Sequence, residues 1–280
     1  MYVSIATMKT NHRQAYSTDI TDEQWLIIEA FLLKVLAKST KRGRPMSLDL
    51  REIVNAIRYL LRNGCTWRDL PHDLPAYQSV RYHFDKWCKS GLWKALNKHL
   101  RRKLREQEGK LADCSVGIAD SQSVKGSVHE ENGYDGGKKV NGRKRHILVD
   151  TMGLLIVVLV TTANRSDKKG LEKVLKAIKS TMPRLKVIKA DQGYVSARLE
   201  KWVLDVCGWI LEVTKKPEGK GFQVIPQRWV VERTFAWLGN YRRLSKDYEV
   251  LATTSEAFIY MAMCDIMTKR LAYQSTPNFA

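Results

Sequence analysis

HILVDTMGLLIVVLVT, residues 146–161, contains the longest strongly apolar run of the chain. Its first part, His146–Asp150, has the composition of a short β-strand. Its second part, Leu154–Thr161, is continuously apolar and β-branched, which is typical of a strand buried on both faces. We therefore predict that a buried sheet forms in this part of the chain.

On both sides of this stretch the pattern indicates further strands and helices. Before it, Val116 and Ile118 alternate into Asp120, which predicts a strand that ends there. After it, the pattern predicts in order a helix over Leu171–Met182, a strand over Leu185–Ala190, a helix over Leu199–Val206, a strand over Trp209–Val213, and a helix from Pro226 through Trp237. Three strands followed by alternating helices and strands indicate a mixed sheet with flanking helices, in the α+β or α/β class.

The first third of the chain has helical spacing instead. Helices are predicted to begin near Asp22, where residues 21–24 form a capping box, after Ser47 as an N-cap, after Pro75, and at Leu92. Short helices joined by Gly- or Pro-containing turns are compatible with a helix-turn-helix module. Any small helical bundle fits the same pattern. We predict a helical DNA-binding region over residues 1–110 and a second domain over residues 111–280.

Basic residues are in large excess. The 280 residues include 48 Lys and Arg against 29 Asp and Glu, a formal net charge of +19. This charge favours a polyanionic partner, nucleic acid first and an anionic membrane surface second. In the third predicted helix, Arg81, Lys86 and Lys89 would face DNA. With 44% hydrophobic residues, the chain has too much apolar material for intrinsic disorder.

The composition argues against several other classes of protein. The run Leu154–Val160 is much shorter than the ~20 residues of a membrane-spanning helix, and no N-terminal segment resembles a signal peptide. The five cysteines are odd in number and form no C-x-x-C pair, so we expect reduced thiols rather than disulfides or a zinc site. A cytoplasmic protein without a membrane partner is the expectation.

Two aspartates, Asp120 and Asp191, each follow a predicted strand. If these strands are neighbours, about 4.8 Å apart, the two carboxylates lie side by side at one end of the sheet. A divalent cation would remove their repulsion, and hard oxygen ligands favour Mg²⁺ or Mn²⁺ over zinc. Because aspartate at a strand end is also a common turn former, two ordinary turns are the alternative.

A third carboxylate on a helix would complete a two-metal site that clamps both oxygens of a phosphodiester. Glu232 is the candidate, because an acid on its otherwise apolar helical face is costly unless it is exposed or liganded. Arg228, four residues earlier on the same face, either pairs with Glu232 or reaches a phosphate. A solvent-exposed Arg–Glu pair is the alternative.

A basic hairpin is predicted beside the first strand. Residues 138–145 hold five basic residues in eight, flanked and interrupted by Gly-Gly and Asn-Gly turn signals. We expect this hairpin to bind the DNA backbone. His146 at its end is expected to be structural or to contact DNA, not to bind metal. Trp229 and Trp237 could stack on an unpaired base, although at least one is expected in the core.

Four segments closely resemble the DDE transposases of bacterial insertion sequences, in the group named for insertion sequence five. They are residues 120–125, DSQSVK, residues 134–146, YDGGKKVNGRKRH, residues 190–194, ADQGY, and residues 228–238, RWVVERTFAWL. The resemblance takes in residues 242–249, RRLSKDYE, and covers nearly the whole chain, more loosely in its helical N-terminal part.

The resemblance implies a ribonuclease-H-like catalytic domain in which Asp120, Asp191 and Glu232 are the catalytic, metal-binding acids. It implies Mg²⁺-dependent cleavage at the terminal inverted repeats of an insertion sequence, with Mn²⁺ as an alternative ion, followed by strand transfer into target DNA. Since a synapse holds two ends, we expect a homodimer or larger assembly, associated with the nucleoid when bound to DNA. The predicted DNA contacts are Lys125, Lys138, Lys139, Arg143, Lys144, Arg145, Arg228, Arg233, Trp237, Arg242 and Arg243.

Two positions depart from the wider family pattern. That pattern places a tyrosine three residues before the arginine and a lysine or arginine seven residues after the glutamate, where this chain has Ile225 and Gly239. Two other functions remain open at this point. One is a metal-dependent nuclease of the same fold that cleaves without joining, and the other is a non-catalytic DNA-binding repressor derived from a transposase.

Overall fold

The structure, a computed structural model, describes residues 13–37, 49–127, 131–214 and 228–275. Its N-terminal region is helical, as predicted. The helices are α1 (Asp22–Ala37), α2 (Leu50–Asn63), α3 (Tyr77–Lys89) and α4 (Leu92–Gln107). Their buried faces consist of the apolar residues with helical spacing, so the periodicity of the sequence places these four helices correctly.

Of the two helix caps predicted from the sequence, the structure has one. The Gln24 N–H donates to Thr21 Oγ1 at 3.3 Å, so the capping box begins α1. Gly64 ends α2 with a φ of 74°, a conformation that favours glycine. The N-cap prediction for α2 is wrong, because Asp49 caps it by accepting the Arg51 N–H at 2.8 Å. Ser47 lies outside the described residues.

The connections in this region differ in length. Residues 64–76 join α2 to α3 and contain a short 3₁₀ turn, Trp67–Asp69, so this link is longer than the three or four residues of a tight helix-turn-helix. Only Ser90 and Gly91 join α3 to α4. The tight helix–turn–helix connection therefore lies between α3 and α4.

Within the described ranges, six strands form one mixed sheet. They are β1 (Val116–Lys125), β2 (Gly133–Asp135), β3 (Val140–Asp150), β4 (Leu155–Thr162), β5 (Val187–Ala190) and β6 (Ile210–Val213). The strand β1 pairs antiparallel with β3 on one side and parallel with β5 on the other. The outer edge of β3 pairs antiparallel with β2 and β4, and β6 extends the sheet parallel to β5. This order, β4-β3-β1-β5-β6, confirms the ribonuclease-H-like sheet.

Two strands are longer than predicted. The strand β1 continues past Asp120 to Lys125, and β3 begins at Val140, because the two pair continuously from Gly117↔Asp150 to Lys125↔Gly142 and so satisfy each other's backbone groups. The prediction that Asp120 ends its strand is therefore wrong. Asp191 does follow the end of β5.

Helices cover both faces of the sheet. One face packs against α5 (Asp167–Ile178) and α6 (Ala197–Trp202). The other packs against the N-terminal helices, α7 (Arg228–Gly239) and α8 (Ala252–Ser275) in one continuous apolar core. Pro226, the predicted start of α7, lies outside the described residues. The boundary at residue 110 stays a prediction, and the core crosses it because α8 packs on both α4 and β4.

Two further predictions concern membrane-spanning helices and the state of the cysteines. In the described parts of the chain, no helix combines the length and the apolarity that a membrane crossing requires. The five cysteines, all of which lie in the described ranges, are free thiols.

Candidate active site

The two aspartates belong to adjacent parallel strands, with Asp120 within β1 and Asp191 directly after the end of β5. The pairing of β1 with β5 runs through Gly117↔Ile188 and Ile118↔Lys189. Continued by two residues, this register places Asp120 beside Asp191, at the point where β5 ends and its neighbour β1 goes on. Neighbouring strands are about 4.8 Å apart, so the two carboxylates belong to one small region of the sheet, as predicted.

The local structure holds each aspartate differently. Asp191 precedes a short 3₁₀ turn, Gln192–Tyr194, and its Oδ1 accepts the Gly193 N–H at 3.0 Å. Asp120 is half-buried in the middle of β1, and its Oδ1 accepts the Ser121 N–H at 2.7 Å. Asp191 therefore forms a turn, as the alternative interpretation predicted, and its position is also compatible with the predicted metal site.

The side chain of Asp120 faces α7. Its partner across the antiparallel pair is Ile147, and directly opposite residues project from the same face of a sheet. Ile147 belongs to the core that contains Val230 and Val231 of α7. The helix α7 packs against β1, so the helix that carries Glu232 lies over the strand that carries Asp120.

Glu232 is exposed in the first half of α7, whereas Val231 beside it is buried. The sequence predicted that an acid at this position is either exposed or liganded, and in the structure Glu232 is exposed. Among the residues that the structure describes, no three His, Cys, Asp or Glu side chains lie close enough together to hold a metal ion. The structure therefore brings Asp120 and Asp191 together and leaves Glu232 on the adjacent helix.

A buried tyrosine, which the sequence did not single out, lies close to the aspartates. Burial raises the pKa of Tyr194 well above its ordinary value, and the negative charges of Asp120, Asp167 and Asp191 raise it further, against a hydrogen bond with Ser121. The phenol therefore stays protonated and adds no charge to the site. The only available signal was its place in the Asp-Gln-Gly-Tyr turn after β5.

A second missed group lies on the opposite face of β1 from Asp120. Ser121 Oγ donates to Asp167 Oδ1 at 2.7 Å, and Lys144 Nζ lies 3.0 Å from both Asp167 and Asp135. Although burial alone would lower the pKa of Lys144, its hydrogen bonds with these two aspartates raise it. Asp167 is the first residue of α5 and follows its N-cap, Ser166. The N-cap serine was the sequence feature that could have indicated the position of Asp167.

Three of the hairpin residues that were predicted to contact DNA are buried and bound inside the chain. Arg143 and Arg145 are each 2% exposed, and Lys144 is 5% exposed. Arg143 donates to the carbonyls of Glu249 and Val250 at 2.9 and 2.6 Å, and Arg145 donates to the carbonyl of Leu244 at 3.0 Å. These charges hold the segment after α7 against the sheet instead of facing solvent.

The remaining predicted contacts fall into three groups. Lys125, Lys138, Lys139 and Arg242 are exposed and available to DNA. Arg243 pairs with Glu249 at 2.7 Å, with both side chains at least nine-tenths buried, so its charge is already neutralised. Arg233 and Trp237 are half-buried and contact each other. The side chain of Arg228 lies outside the described residues.

His146 is structural. It is buried, its Nε2 lies 3.0 Å from Thr161 Oγ1, and a Cβ at Gly170 would collide with its ring. Burial lowers its pKa to about 4. Of the two roles predicted for His146, the structure supports the structural one.

The buried imidazole predicts a pH-dependent stability. The unfolded chain binds a proton at His146 below about pH 6.5, whereas the folded chain does so only near pH 4, so stability is complete above pH 6.5 and falls between these values. The difference amounts to roughly 3 kcal/mol. Urea unfolding of wild type and His146→Gln at a series of pH values measures it. The difference between the two proteins should shrink as the pH falls from 7 to 4, and parallel curves would contradict the assignment.

The mixed sheet thus carries Asp120 within β1 and Asp191 directly after the neighbouring parallel strand β5. Comparison with known protein families identifies a specific family. Residues 112–265 match the model of the family described as "Transposase DDE domain", and residues 20–97 match "Putative transposase of IS4/5 family". The first match spans more than half of the chain. The chain belongs to the transposase DDE domain family and is a DDE-type DNA transposase.

Individual relatives agree with the family. The chain is 34% identical over 143 residues, which is 48% of this chain and 67% of the relative, to "Putative transposase for insertion sequence element IS402" from Burkholderia cepacia. It is 29% identical over 108 residues, 38% of this chain and 72% of the relative, to an uncharacterised 16.2 kDa protein of the same element. One solved structure, "Crystal structure of the Mos1 Strand Transfer Complex", aligns with 91% of this chain and 88% of its own at 12% identity and a TM-score of 0.30, a similarity too weak to define a fold.

Proposed function

We propose that this transposase cuts DNA at the terminal inverted repeats of its insertion sequence and joins the freed 3′ ends to target DNA, with Asp120, Asp191 and Glu232 as its catalytic acids. The observation that carries the assignment is the register of β1 and β5, which sets two carboxylates side by side under the helix that bears the third. The Mg²⁺ requirement, the DNA partners and the site residues are parts of this proposal.

The donor set fits a divalent cation. Two neighbouring carboxylates repel each other, and carboxylate oxygens are the ligands that Mg²⁺ and Mn²⁺ prefer. Asp120 and Asp191 would hold the ion first, because they share one region of the sheet. Glu232 would join them after movement of its side chain or of α7, since it is exposed on the neighbouring helix. When bound, such an ion stabilises negative charge on phosphoryl oxygens.

Two displacements at phosphorus make up the reaction. In the first, a water oxygen attacks the phosphorus at the transposon end, the bond to the 3′ oxygen breaks, and that oxygen leaves as a hydroxyl. In the second, this 3′ hydroxyl attacks a target phosphorus and releases a target 3′ hydroxyl, so one phosphodiester replaces another without an external energy source. The neutral phenol of Tyr194 keeps the local charge confined to the carboxylates.

The exposed lysines of the hairpin would hold the DNA backbone. Lys138 and Lys139 occupy its tip, and Lys138 Nζ donates to the carbonyl of Ser121, the residue after Asp120, at 2.9 Å. The hairpin tip therefore lies against the catalytic strand. Lys125 at the end of β1 and Arg242 after α7 extend the same role. Because two ends must be cut and joined together, we propose a homodimer or larger assembly on DNA.

The test is a strand-joining assay. A duplex that carries the element's inverted repeat, identified as matched repeats in the DNA flanking the gene, is supplied with a free 3′ hydroxyl, a supercoiled plasmid and Mg²⁺. We expect covalent joining to the plasmid that disappears when the metal is chelated. Cleavage without joining would indicate the nuclease instead, and binding of the repeats with neither reaction would indicate the repressor.

A further inference from the structure

A basic cleft of about 540 Å³ opens between α2, α7 and α8, and Glu232 does not line it. All the charged residues among its described lining residues are cationic. They are Arg62, Arg233, Lys269 and Arg270, with Trp237 and Asn240 beside them. The cleft therefore joins a helix of the N-terminal region to the two helices that follow the sheet.

Nearby carboxylates do not neutralise this charge. Asp265 is shared among the Arg58 guanidinium at 2.8 Å, the Tyr241 hydroxyl at 2.7 Å and the Lys269 ammonium at 2.7 Å. Glu108 lies 3.6 Å from Arg270, at the long end of an ion pair. Among the described residues, two acids thus lie near five cations, four of which line the cleft.

Arg233 lines the cleft, and its hydrogen-bonding groups are only partly satisfied there. Its guanidinium lies between the rings of Trp229 and Trp237, 4.4 and 4.7 Å from their centres. Its Nη2 donates to the carbonyl of Met152 at 3.0 Å, but its buried Nε has no hydrogen-bond partner among the described residues. An anion in the cleft would therefore satisfy this N–H group and offset the positive charge that Arg233 shares with Arg270 in the same cleft.

We propose that this cleft binds a backbone phosphate of the DNA, an inference that rests on the proposed function and adds a contact outside the three acids. Arginine guanidinium groups offer paired N–H donors that match phosphate oxygens. DNA is favoured over a free anion for two reasons. Arg233 is adjacent in sequence to Glu232, and Lys269 and Arg270 also line a second cleft of about 780 Å³ that continues to α1 and the exposed Tyr273. One acid, Glu23, also lines the second cleft, but the two clefts share Lys269 and Arg270 and together suit a polymer better than a single small anion.

The first test measures binding of a random-sequence duplex across a series of salt concentrations, because phosphate contacts are independent of sequence. We expect Arg62→Gln with Arg270→Gln to weaken binding roughly tenfold and to lower the slope of log Kd against log salt by about one for each phosphate that is no longer neutralised. The control is Lys173→Gln with Lys176→Gln, which makes the same charge change on exposed positions of α5, on the other face of the sheet. It should leave both quantities within about twofold of wild type.

A second variant guards against misfolding. Asn240→Asp adds a negative charge to the cleft at an exposed position and should weaken duplex binding, whereas Ser180→Asp, exposed beyond α5, should not. Unchanged Kd and slope in the cleft variants would overturn the proposal. It would also be overturned if inorganic phosphate raised the melting temperature of wild type, but not of the double variant, while the duplex slopes stayed equal, since the cleft would then bind free anions only. Strand joining by wild type tests the proposed function separately.

Discussion

Replacing Asp120 by asparagine is expected to reduce cleavage and strand joining by roughly a thousandfold or more, since several kcal/mol of charge stabilisation at the phosphoryl group depend on the metal that this carboxylate would hold. The amide keeps the shape of the side chain but removes its negative charge beside Asp191. Binding of the element ends should remain, because the exposed cations are unchanged. Product formation and end binding are measured on the same preparation.

The matched control is Asp205→Asn. Asp205 is an exposed acid in the π-helical segment Val203–Cys207 that directly follows α6, 3.4 Å from Lys201 and on the other face of the sheet. This substitution should leave both reactions within about twofold of wild type, because surface pairs contribute little. If the Asp120 variant still cut DNA, the assignment of the site would be wrong. If the control lost activity equally, the loss would reflect total charge instead of the site.

Replacing Arg105 by methionine is expected to lower the free energy of unfolding by about 3–5 kcal/mol, since it leaves a buried carboxylate without its cation. Arg105 Nη1 lies 2.7 Å from Asp150 Oδ2, with the two side chains 7% and 0% exposed. The other oxygen of Asp150 accepts the N–H groups of Met152 and Leu154 at 2.8 and 3.0 Å. One ion pair therefore ties α4 to the turn between the two strands of residues 146–161.

Urea unfolding measures this effect, with Arg102→Met as the control. Arg102 lies on the same helix with its side chain 45% exposed, 3.5 Å from Asp113, so its loss should cost less than about 1 kcal/mol. Equal effects of the two substitutions would show that the buried pair contributes no more than a surface pair. A large effect of Arg105→Met alone would show that this ion pair, beside the shared apolar core, helps to hold the helical region against the sheet.

Elements with a clear period were predictable from sequence. The apolar positions of α2, α3, α4 and α5 recur at helical spacing, and the continuous apolar run of β4 indicates a strand buried on both faces. The extension of β1 past Asp120 was not predictable. Its second half, Ser121 to Lys125, is mostly polar, and it is a strand because β3 pairs with it residue by residue.

The candidate site was predictable in its residues but only partly in its geometry. Asp120 and Asp191 stand out because each follows a β-like run, and Glu232 stands out on an apolar helix. Their separation along the chain says nothing about which strands are neighbours. The parallel pairing of β1 with β5 settles that question for the two aspartates.

The burial of the basic hairpin residues was the property least predictable from sequence. From sequence, Arg143, Lys144 and Arg145 form one charged run that would face solvent. In the structure, neighbours along β3 project to opposite faces, so Arg143 and Arg145 meet the segment after α7 while Lys144 meets Asp135 and Asp167. Elements distant in sequence cover both faces of β3, so all three basic side chains are buried.

By itself, then, the sequence determined the order and kind of most elements and the positive charge, and it supplied the three acids that we propose as catalytic, because periodicity, composition and motif are local properties of the chain. Only the tertiary structure decided which strands are adjacent, which cations are buried and where a basic cleft opens between α2, α7 and α8. The physical reason is that these properties depend on contacts between residues far apart in sequence. Such contacts form when the two faces of the sheet are covered, and no local pattern records which segment covers which face.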